Sequence, residues 1–320
     1  MNVKKQMFVG CLLSLLISLS AEADLHTLAG DLFGTWQYVD FDASMNVDNF
    51  LPCVDATFET VGIDGYEMYD YFKDLYGRNN LTQMQPSEQP RIPKIIHFIW
   101  VGGPLPDVLK YYINSWIERH PDWQFKLWTD EEVGKVRLFN QDLYDSVRNP
   151  GMRADILRYE VIYRYGGLYV DTDMECLQPV DILHHTYDFY ACLHPLDTGC
   201  VQIGNAMLAA RPGHPIVKHC IETLPESYKT GQGVPEKTGP IPLTRSVYAL
   251  VGKTDSLDIV LPATYFFPLG SLERIAYRSK WRAWGAFGNH WWAKTWMDPE
   301  FRPTKFEGIE NYDLVKNWDE

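Results

Sequence analysis

Along the middle of the chain, segments whose apolar residues have the spacing of a β-strand alternate with segments whose apolar residues have the spacing of a helix. Residues 94–101 are nearly all apolar, which predicts a strand buried on both faces. Residues 107–119 repeat apolar side chains at helical spacing, and residues 123–128 alternate as a second strand. Thr129 and Glu132 then form the pattern of a capping box that starts another helix. This β-α-β-α order predicts an α/β fold with a parallel sheet.

Further along, a helix, a glycine pair and a short strand lead to two carboxylates. Residues 152–165 contain neither Pro nor Gly and repeat apolar side chains at helical spacing, and the following glycine pair predicts the end of that helix. The apolar run 168–170 predicts a buried strand, and Asp171 and Asp173 follow it directly. Because ligands bind at the carboxyl edge of open α/β sheets, the pattern indicates a site there.

The side chains around this strand end suit a metal and a phosphate. Carboxylate oxygens are typical ligands of Mg²⁺ or Mn²⁺, which leave further positions to water and substrate phosphates. Asp155 and Arg158, three residues apart, share one face of the preceding helix. Taken singly, an Asp-x-Asp pair is typical of a solvated turn, and Asp155 with Arg158 is typical of a surface ion pair. The order of charged helix, glycine pair, apolar strand and Asp-x-Asp pair along the chain favours a binding site over these two interpretations.

The segments 153–159 and 165–173 together resemble the signature of glycosyltransferase family 32, the family with a DXD sugar-binding motif. They are more distantly similar to the glucosyltransferase domains of large clostridial toxins. The resemblance continues through residues 92–103 and covers the chain from about residue 91 to residue 296. It implies a GT-A fold, a Rossmann-like and mostly parallel sheet flanked by helices. It also implies a metal-dependent, retaining transferase that moves a sugar from a nucleotide-diphosphate donor to an acceptor hydroxyl.

The resemblance assigns donor contacts to four residues. Asp155 would accept hydrogen bonds from sugar hydroxyls, and Arg158 would bind phosphate oxygens. Asp171 would contact the donor sugar or its ribose, with the metal reached through water. Trp100, at the end of the first strand, would stack on the nucleotide base, whereas its residue type alone favours a core position.

The resemblance also assigns the metal and the closing segment. Asp171 and Asp173 would hold the metal, Asp173 directly, and His290 would be a further ligand. Thr295, which stands where the family usually has Ser, and Trp296 would contact the diphosphate. Of these residues, Asp155, Arg158, Asp171 and Asp173 form the predicted catalytic set.

The predicted cofactor is Mn²⁺ or Mg²⁺, and the predicted donor is a nucleotide sugar, with a UDP-sugar favoured over GDP-mannose. The acceptor is expected to be a carbohydrate, a lipid-linked glycan or a protein. A net charge of −13 argues against nucleic acid as a partner. Two alternatives remain open, a glycoside hydrolase and a non-catalytic module that binds sugar or a cation. Metal and nucleotide dependence would separate them from a transferase, and the oligomeric state is left open.

The chain is expected to have three parts: a signal peptide over residues 1–23, a helical extension over residues 24–90 and a glycosyltransferase domain over residues 91–320. The signal peptide is predicted from Lys4 and Lys5, an apolar run over residues 7–19 and an A-x-A site ending at Ala23. The signal peptide predicts that the protein is exported. It would then be secreted or, if its source is bacterial, delivered into a host cell. The alternative is a membrane anchor in the Golgi. Pairing among the five cysteines after cleavage is left open.

Overall fold

The computed structural model describes residues 36–270 and 285–293, and the described residues from Gln37 onward belong to one compact unit. The strands are β1 (Ile95–Ile99), β2 (Gln124–Trp128), β3 (Gly167–Val170), β4 (Met174–Cys176), β5 (Phe189–Leu193), β6 (Ile203–Ala210), β7 (Asp258–Leu261) and β8 (Gly288–His290). The helices before β3 are α1 (Phe41–Met45), α2 (Leu51–Asp55), α3 (Thr57–Val61), α4 (Gly65–Asn79), α5 (Asp107–Arg119), α6 (Asp130–Val133), α7 (Gln141–Ser146) and α8 (Pro150–Tyr165). Those after it are α9 (Asp181–Thr186), α10 (Pro215–Thr230), α11 (Val234–Lys237) and α12 (Pro240–Leu250).

Six strands form the central sheet in the order β2-β1-β3-β6-β5-β7. β1 runs parallel to β2 and β3, and β5 runs parallel to β7, whereas β6 is antiparallel to both of its neighbours. The predicted α/β class with a mostly parallel sheet is therefore confirmed. The reversed β6 brings its amino end to the edge where β1, β3 and β5 end, so four chain segments meet there.

Local sequence explains the two helices that carry the site. α5 begins at Asp107 and ends at Arg119, as predicted, because its apolar residues recur at helical spacing and are buried. α8 begins at Pro150, two residues before the predicted start, since the Asn149 side chain caps it by accepting from the Met152 amide. It ends at the predicted glycine pair. Gly167 has φ of +98°, and a Cβ there would lie 2.5 Å from the Ile95 carbonyl oxygen, so only glycine fits beside β1.

The amino-terminal region contains α1 to α4, and α4 packs against β7. The predicted boundary after residue 90 stays a prediction. The predicted signal peptide lies outside the described residues. No helix in residues 36–270 or 285–293 is long and apolar enough to cross a membrane. No disulfide joins the five cysteines within this part of the chain.

His97, in the middle of β1, joins three segments of the sheet. Its Nδ1 accepts a hydrogen bond from the Trp128 indole N–H at 3.1 Å, and its Nε2 lies 2.9 Å from the Gly166 carbonyl oxygen. Nε2 therefore carries the proton and the ring is neutral, because Nδ1 must remain an acceptor. Burial lowers the pKa of His97 to about 4.

Acid should therefore destabilise the fold. Unfolded histidine has a pKa of about 6.5, so the unfolded chain binds the extra proton between about pH 6.5 and about pH 4. The free energy of unfolding should fall as the pH drops through this window, by on the order of 2–3 kcal/mol from His97 alone. Urea unfolding at pH 7 and pH 4.5 measures the loss. The drop should be smaller in His97→Gln, and an equal drop in both proteins would contradict the assignment.

Candidate functional site

A cleft of about 830 Å³ lies at the edge of the sheet where β1, β3 and β5 end. Trp100 follows β1, Asp171 follows β3 and His194 follows β5, and all three line the cleft. Neighbouring strands lie about 4.8 Å apart, so the sheet order spreads these residues along the edge in the sequence Trp100, Asp171, His194. The volume is in the range of about 300–1,000 Å³ that is usual for a small-molecule site.

Three potential metal ligands converge in the middle of the cleft. The ligand atoms of Asp171, Asp173 and His290 all lie within 4.8 Å of one another. His290 Nε2 is 3.3 Å from one Asp173 oxygen and 3.9 Å from an Asp171 oxygen. Two carboxylates and one imidazole are a donor set that suits a divalent cation such as Mn²⁺. The residues predicted as ligands from the sequence are therefore brought together.

Strand pairing positions His290. β8 runs antiparallel to β4, which directly follows Asp173, and His290 lies opposite Met174 in this pair. The Trp291 amide donates to the Asp173 carbonyl oxygen at 3.1 Å, and the Ala293 amide donates to the Asp173 carboxylate at 2.7 Å. Backbone bonds thus hold the imidazole and the carboxylate at a set separation.

Glu175 anchors the residue after His290. The Trp291 indole N–H donates to one Glu175 oxygen at 3.1 Å, and the Tyr111 hydroxyl donates to the other at 3.4 Å. Trp291 also stacks on Tyr112, with ring centroids 5.9 Å apart and an interplanar angle of 28°. Because both tyrosines belong to α5, the closing segment is fixed to that helix.

Electrostatics couple Asp173 and His290. Burial raises the pKa of Asp173, but the charge and hydrogen bond of His290 and the backbone hydrogen bonds, including that from Ala293, together lower it, so the net pKa lies below its ordinary value. Burial lowers the pKa of His290, but Asp173 and Asp171 together raise it, and the net pKa lies above its ordinary value. The two shifts agree in direction. They describe a pair in which each partner stabilises the charged form of the other.

Arg158 lies in the wall of the cleft and is almost fully buried, with 5% of its side chain exposed. One Nη is 2.8 Å from Asp155 and 3.6 Å from Asp171, and the other donates to the Asn205 carbonyl oxygen. Burial by itself lowers the pKa of Arg158, but Tyr169, Asp155 and Asp171 raise it overall. Both Nη groups therefore have partners inside the protein, and a phosphate would have to share them.

Asp155 lies behind this arginine and has only 4% of its surface exposed. One of its oxygens accepts from the Asn205 amide at 2.8 Å, and the other accepts from the Thr238 hydroxyl at 2.7 Å. Burial raises the pKa of Asp155, and Arg158 opposes this rise. With both oxygens engaged, Asp155 is placed to orient Arg158, and its predicted contact with sugar hydroxyls stays a prediction.

Asn205 and Thr238 were not predicted as site residues, although both lie in segments that resemble motifs of the family. Asn205 begins the segment 205–210, similar to an N-x-M-x-A motif, and Thr238 begins a T-G-P motif. Both residues are linked to Asp155 by hydrogen bonds in the folded protein, and no spacing in the sequence indicates these contacts. The stretch 231–242, whose Gly and Pro content predicts a loop, instead contains α11 and the start of α12. Thr238 lies between these two helices and contacts Asp155 of α8.

The remaining predicted residues are Trp100, Thr295 and Trp296. Trp100 is half-buried and lines the cleft, so it does not belong to the closed core. Its backbone amide donates to the Trp128 carbonyl oxygen, which extends the pairing of β1 with β2 by one residue. Thr295 and Trp296 lie outside the described residues.

The sequence matches a known protein family over a region that includes Arg158, Asp171 and Asp173 of this cleft. The match runs from residue 106 to residue 190, and the family is described as "Glycosyltransferase sugar-binding region containing DXD motif". Residues 106–190 are therefore similar to a glycosyltransferase sugar-binding region. The Asp-x-Asp motif of this region is Asp171-Thr172-Asp173. The resemblance predicted from the sequence is confirmed by this match.

Curated relatives carry glycosyltransferase names. Inositol phosphoceramide mannosyltransferase 1 of Schizosaccharomyces pombe is 33% identical over 146 residues, which cover 43% of this chain and 44% of the relative. Mannosyl phosphorylinositol ceramide synthase SUR1 of Saccharomyces cerevisiae is 27% identical over 227 residues, which cover 66% of this chain and 57% of the relative. The chain thus spans about half the length of these relatives. The predicted enzyme class agrees with both names.

Among solved structures, the catalytic domain of alpha-toxin from Clostridium novyi is similar to this chain. The similarity has a TM-score of 0.39 at 11% sequence identity. It covers 59% of this chain and 68% of the toxin domain.

Proposed function

We propose that this protein is a metal-dependent, retaining glycosyltransferase that moves a hexosyl group from a nucleotide-diphosphate donor to an acceptor hydroxyl. One observation carries the proposal: Asp171, Asp173 and His290 converge within 4.8 Å in a cleft at the carboxyl edge of β3. A donor with a base, a diphosphate and a sugar needs an elongated site of this kind. The mannosyltransferase names of the relatives favour mannose among the candidate sugars, with GDP-mannose tested beside UDP-sugars.

The residues present fit a divalent cation, which Asp173 and His290 would hold directly. When bound, Mn²⁺ or Mg²⁺ would neutralise charge that develops on the departing diphosphate. One Asp171 oxygen contacts Arg158 and accepts a hydrogen bond from the Tyr169 hydroxyl. The other Asp171 oxygen faces His290. Its proposed contact is a hydroxyl of the ribose or of the donor sugar.

Retention of anomeric configuration is proposed to follow from a same-face displacement. The acceptor oxygen forms a bond to the anomeric carbon while the bond from that carbon to the diphosphate oxygen breaks. The proton of the acceptor hydroxyl goes to the departing diphosphate oxygen, so no enzymic nucleophile takes part. Asp173 is oriented by the Ala293 amide and Arg158 by Asp155, so both keep their places during the transfer.

A donor panel tests the function. Purified protein with Mn²⁺ should release nucleoside diphosphate from one member of a panel of UDP-glucose, UDP-galactose, UDP-N-acetylglucosamine and GDP-mannose. Excess EDTA should abolish release, and added Mn²⁺ should restore it. Sugar release from glycosides without any nucleotide would instead favour a glycoside hydrolase. Full turnover in EDTA would overturn the proposed metal dependence.

Trp100 provides a prediction about the nucleotide base. Base stacking on an aromatic side chain is worth about 1–3 kcal/mol in proteins that bind single-stranded nucleic acid, so Trp100→Ala should raise the donor KM about 5- to 150-fold. Trp100→Phe keeps a ring face and should recover most of the affinity. Steady-state kinetics with varied donor measure both effects. An unchanged donor KM in Trp100→Ala would place the base elsewhere.

A further inference from the structure

His194 is a buried histidine in the wall of the cleft whose ring makes no hydrogen bond within the described part of the protein. It directly follows β5, and only 6% of its surface is exposed. Neither Nδ1 nor Nε2 has a hydrogen-bond partner in residues 36–270 and 285–293. A buried polar group without a partner is costly and rare in native proteins, so this ring needs a physical explanation.

Packing around His194 keeps its ring in the cleft wall. The ring meets the Phe267 ring edge-on, with centroids 4.8 Å apart and an interplanar angle of 88°. Gly204 of β6 leaves room for the imidazole, because a Cβ there would lie 2.5 Å from the His194 Cδ2 atom and 2.7 Å from its Nε2 atom. Nδ1 is therefore on the side of the ring away from Gly204.

Trp292 connects His194 with the candidate metal site. The Trp292 ring centroid is 5.2 Å from that of His194 and 4.4 Å from that of His290. The indole N–H of Trp292 donates to the Leu269 carbonyl oxygen at 3.0 Å, and Trp292 lines the cleft. The two imidazoles thus contact one aromatic ring, which places His194 one side chain away from a predicted metal ligand.

The His194 ring is neutral and offers one donor and one acceptor. Burial and, to a smaller extent, the nearby His290 lower the pKa of His194 to about 3. A neutral imidazole has one N–H donor, and its other nitrogen accepts. A sugar hydroxyl both donates and accepts, so it can pair with either nitrogen. Because so weak a base carries no proton near pH 7, the ring serves as a hydrogen-bond partner rather than as a proton carrier.

The place of His194 along the sheet edge matches the sugar of the proposed donor. β5 lies two strands beyond β3 in the order β1-β3-β6-β5, so the ends of β3 and β5 are about 10 Å apart. Trp100 lies on the opposite side of β3, at the end of β1. If the base stacks on Trp100 and the diphosphate meets Asp171 and Asp173, the transferred sugar lies between β3 and β5, beside His194.

We propose that His194 binds a hydroxyl of the transferred sugar and thereby determines which donor sugar the enzyme accepts. The proposal rests on the transferase function proposed above and adds a specificity-determining residue to it. Both ring nitrogens are shielded from water, so the imidazole turns about its Cβ–Cγ bond as the sugar enters the cleft. A sugar that lacks this hydroxyl leaves the ring unpaired, and the enzyme discriminates against it.

The first experiment combines His194→Phe with deoxy analogues of the donor. Phenylalanine keeps a ring beside Phe267 and Trp292 but forms no hydrogen bond. The probes are the nucleotide sugar found active and its analogues that each lack one sugar hydroxyl, assayed with the full chain and Mn²⁺ by release of nucleoside diphosphate. In the parent, one analogue should lose about tenfold or more in kcat/KM. In His194→Phe, the complete donor should lose a similar factor, and removing that hydroxyl should cost nothing further.

The second experiment separates a sugar contact from general damage. Affinity for the free nucleoside diphosphate with Mn²⁺ should be equal in the parent and in His194→Phe, because this ligand carries no sugar. His194→Asn keeps one donor and one acceptor and should recover part of the lost kcat/KM. His219→Phe is the matched control, since His219 is half-buried on α10 and bonds to Ser246, outside the described lining of the cleft. Thermal melting of all three variants reports folding.

The outcomes decide between the proposal and its alternatives. Equal penalties for every analogue in the parent and in folded His194→Phe overturn the proposal and leave the transferase function in place. Weaker binding of the nucleoside diphosphate in folded His194→Phe overturns it as well, because the effect then lies at the base or the diphosphate. If His194→Phe does not fold, His194→Leu takes the same test. A parent protein that releases nucleoside diphosphate from no donor overturns the proposed function itself.

Discussion

Asp173→Asn should reduce glycosyl transfer by more than about 100-fold and leave the fold intact. Loss of an outer-shell partner of a metal ligand typically costs about 10–100-fold in affinity or activity, so loss of a direct ligand should cost more. The fold should survive because the asparagine oxygen can still accept from the Ala293 amide, which donates to Asp173 at 2.7 Å. The new amide nitrogen would face His290 at the position of the oxygen now 3.3 Å away.

Two measurements separate this effect from general damage. Mn²⁺ affinity, followed by the electron paramagnetic resonance signal of free Mn²⁺, should fall together with activity. Circular dichroism and the melting temperature should stay close to those of the parent protein. Asp142→Asn is a matched control, since Asp142 is exposed in the first turn of α7. Parent-like turnover and Mn²⁺ affinity in folded Asp173→Asn would remove Asp173 from the metal site.

Arg158→Ala should lower the free energy of unfolding by about 3–5 kcal/mol, the usual cost of removing one partner from a buried ion pair. The side chain of Asp155 is 6% exposed and would lose the cation 2.8 Å from its oxygen. Burial already raises the pKa of Asp155, and loss of Arg158 should raise it further. Asp171 would lose a partner in the same substitution, so transfer activity should fall as well.

Variants that differ in burial or in charge serve as controls for Arg158→Ala. Arg164 is exposed in the last turn of the same helix, so Arg164→Ala should change stability by no more than about 1 kcal/mol. Arg158→Lys keeps the charge but not the fork geometry and should fall between Arg158→Ala and the parent. Arg158→Ala combined with Asp155→Ala removes both charges and should be more stable than Arg158→Ala alone. Urea unfolding of the four variants and the parent measures these differences, and a loss below about 1 kcal/mol in Arg158→Ala would contradict the buried pair.

Local patterns were sufficient to predict much of the fold near the site. α5 has the predicted bounds because an apolar stripe defines a helix within its own residues. The end of α8 and the start of β3 were predicted because Gly166 and Gly167 adopt backbone angles that other residues avoid. The placement of Asp171 and Asp173 directly after a buried strand follows from the same local signals.

The surroundings of Asp155 and Arg158 could not be predicted from local sequence patterns. Spacing put Asp155 and Arg158 on one helix face, and a surface ion pair was one interpretation of that spacing. The structure places this face against β6 and the segment before α12, where Asn205 and Thr238 occupy both Asp155 oxygens. Helical period cannot specify which other element covers a face, because that depends on how the whole chain packs.

The sequence by itself determined the α/β class, the helix and strand that lead to Asp171 and Asp173, and the residue types that suit a divalent cation. Each of these depends on neighbouring residues, whose preferences act over one or two turns. Only the tertiary structure decided the antiparallel direction of β6 and the pairing of β8 with β4 that brings His290 to Asp173. These features join segments far apart in the chain. Their formation depends on the packing free energy of many side chains set against the entropy lost in closing long loops, and no local pattern records that balance.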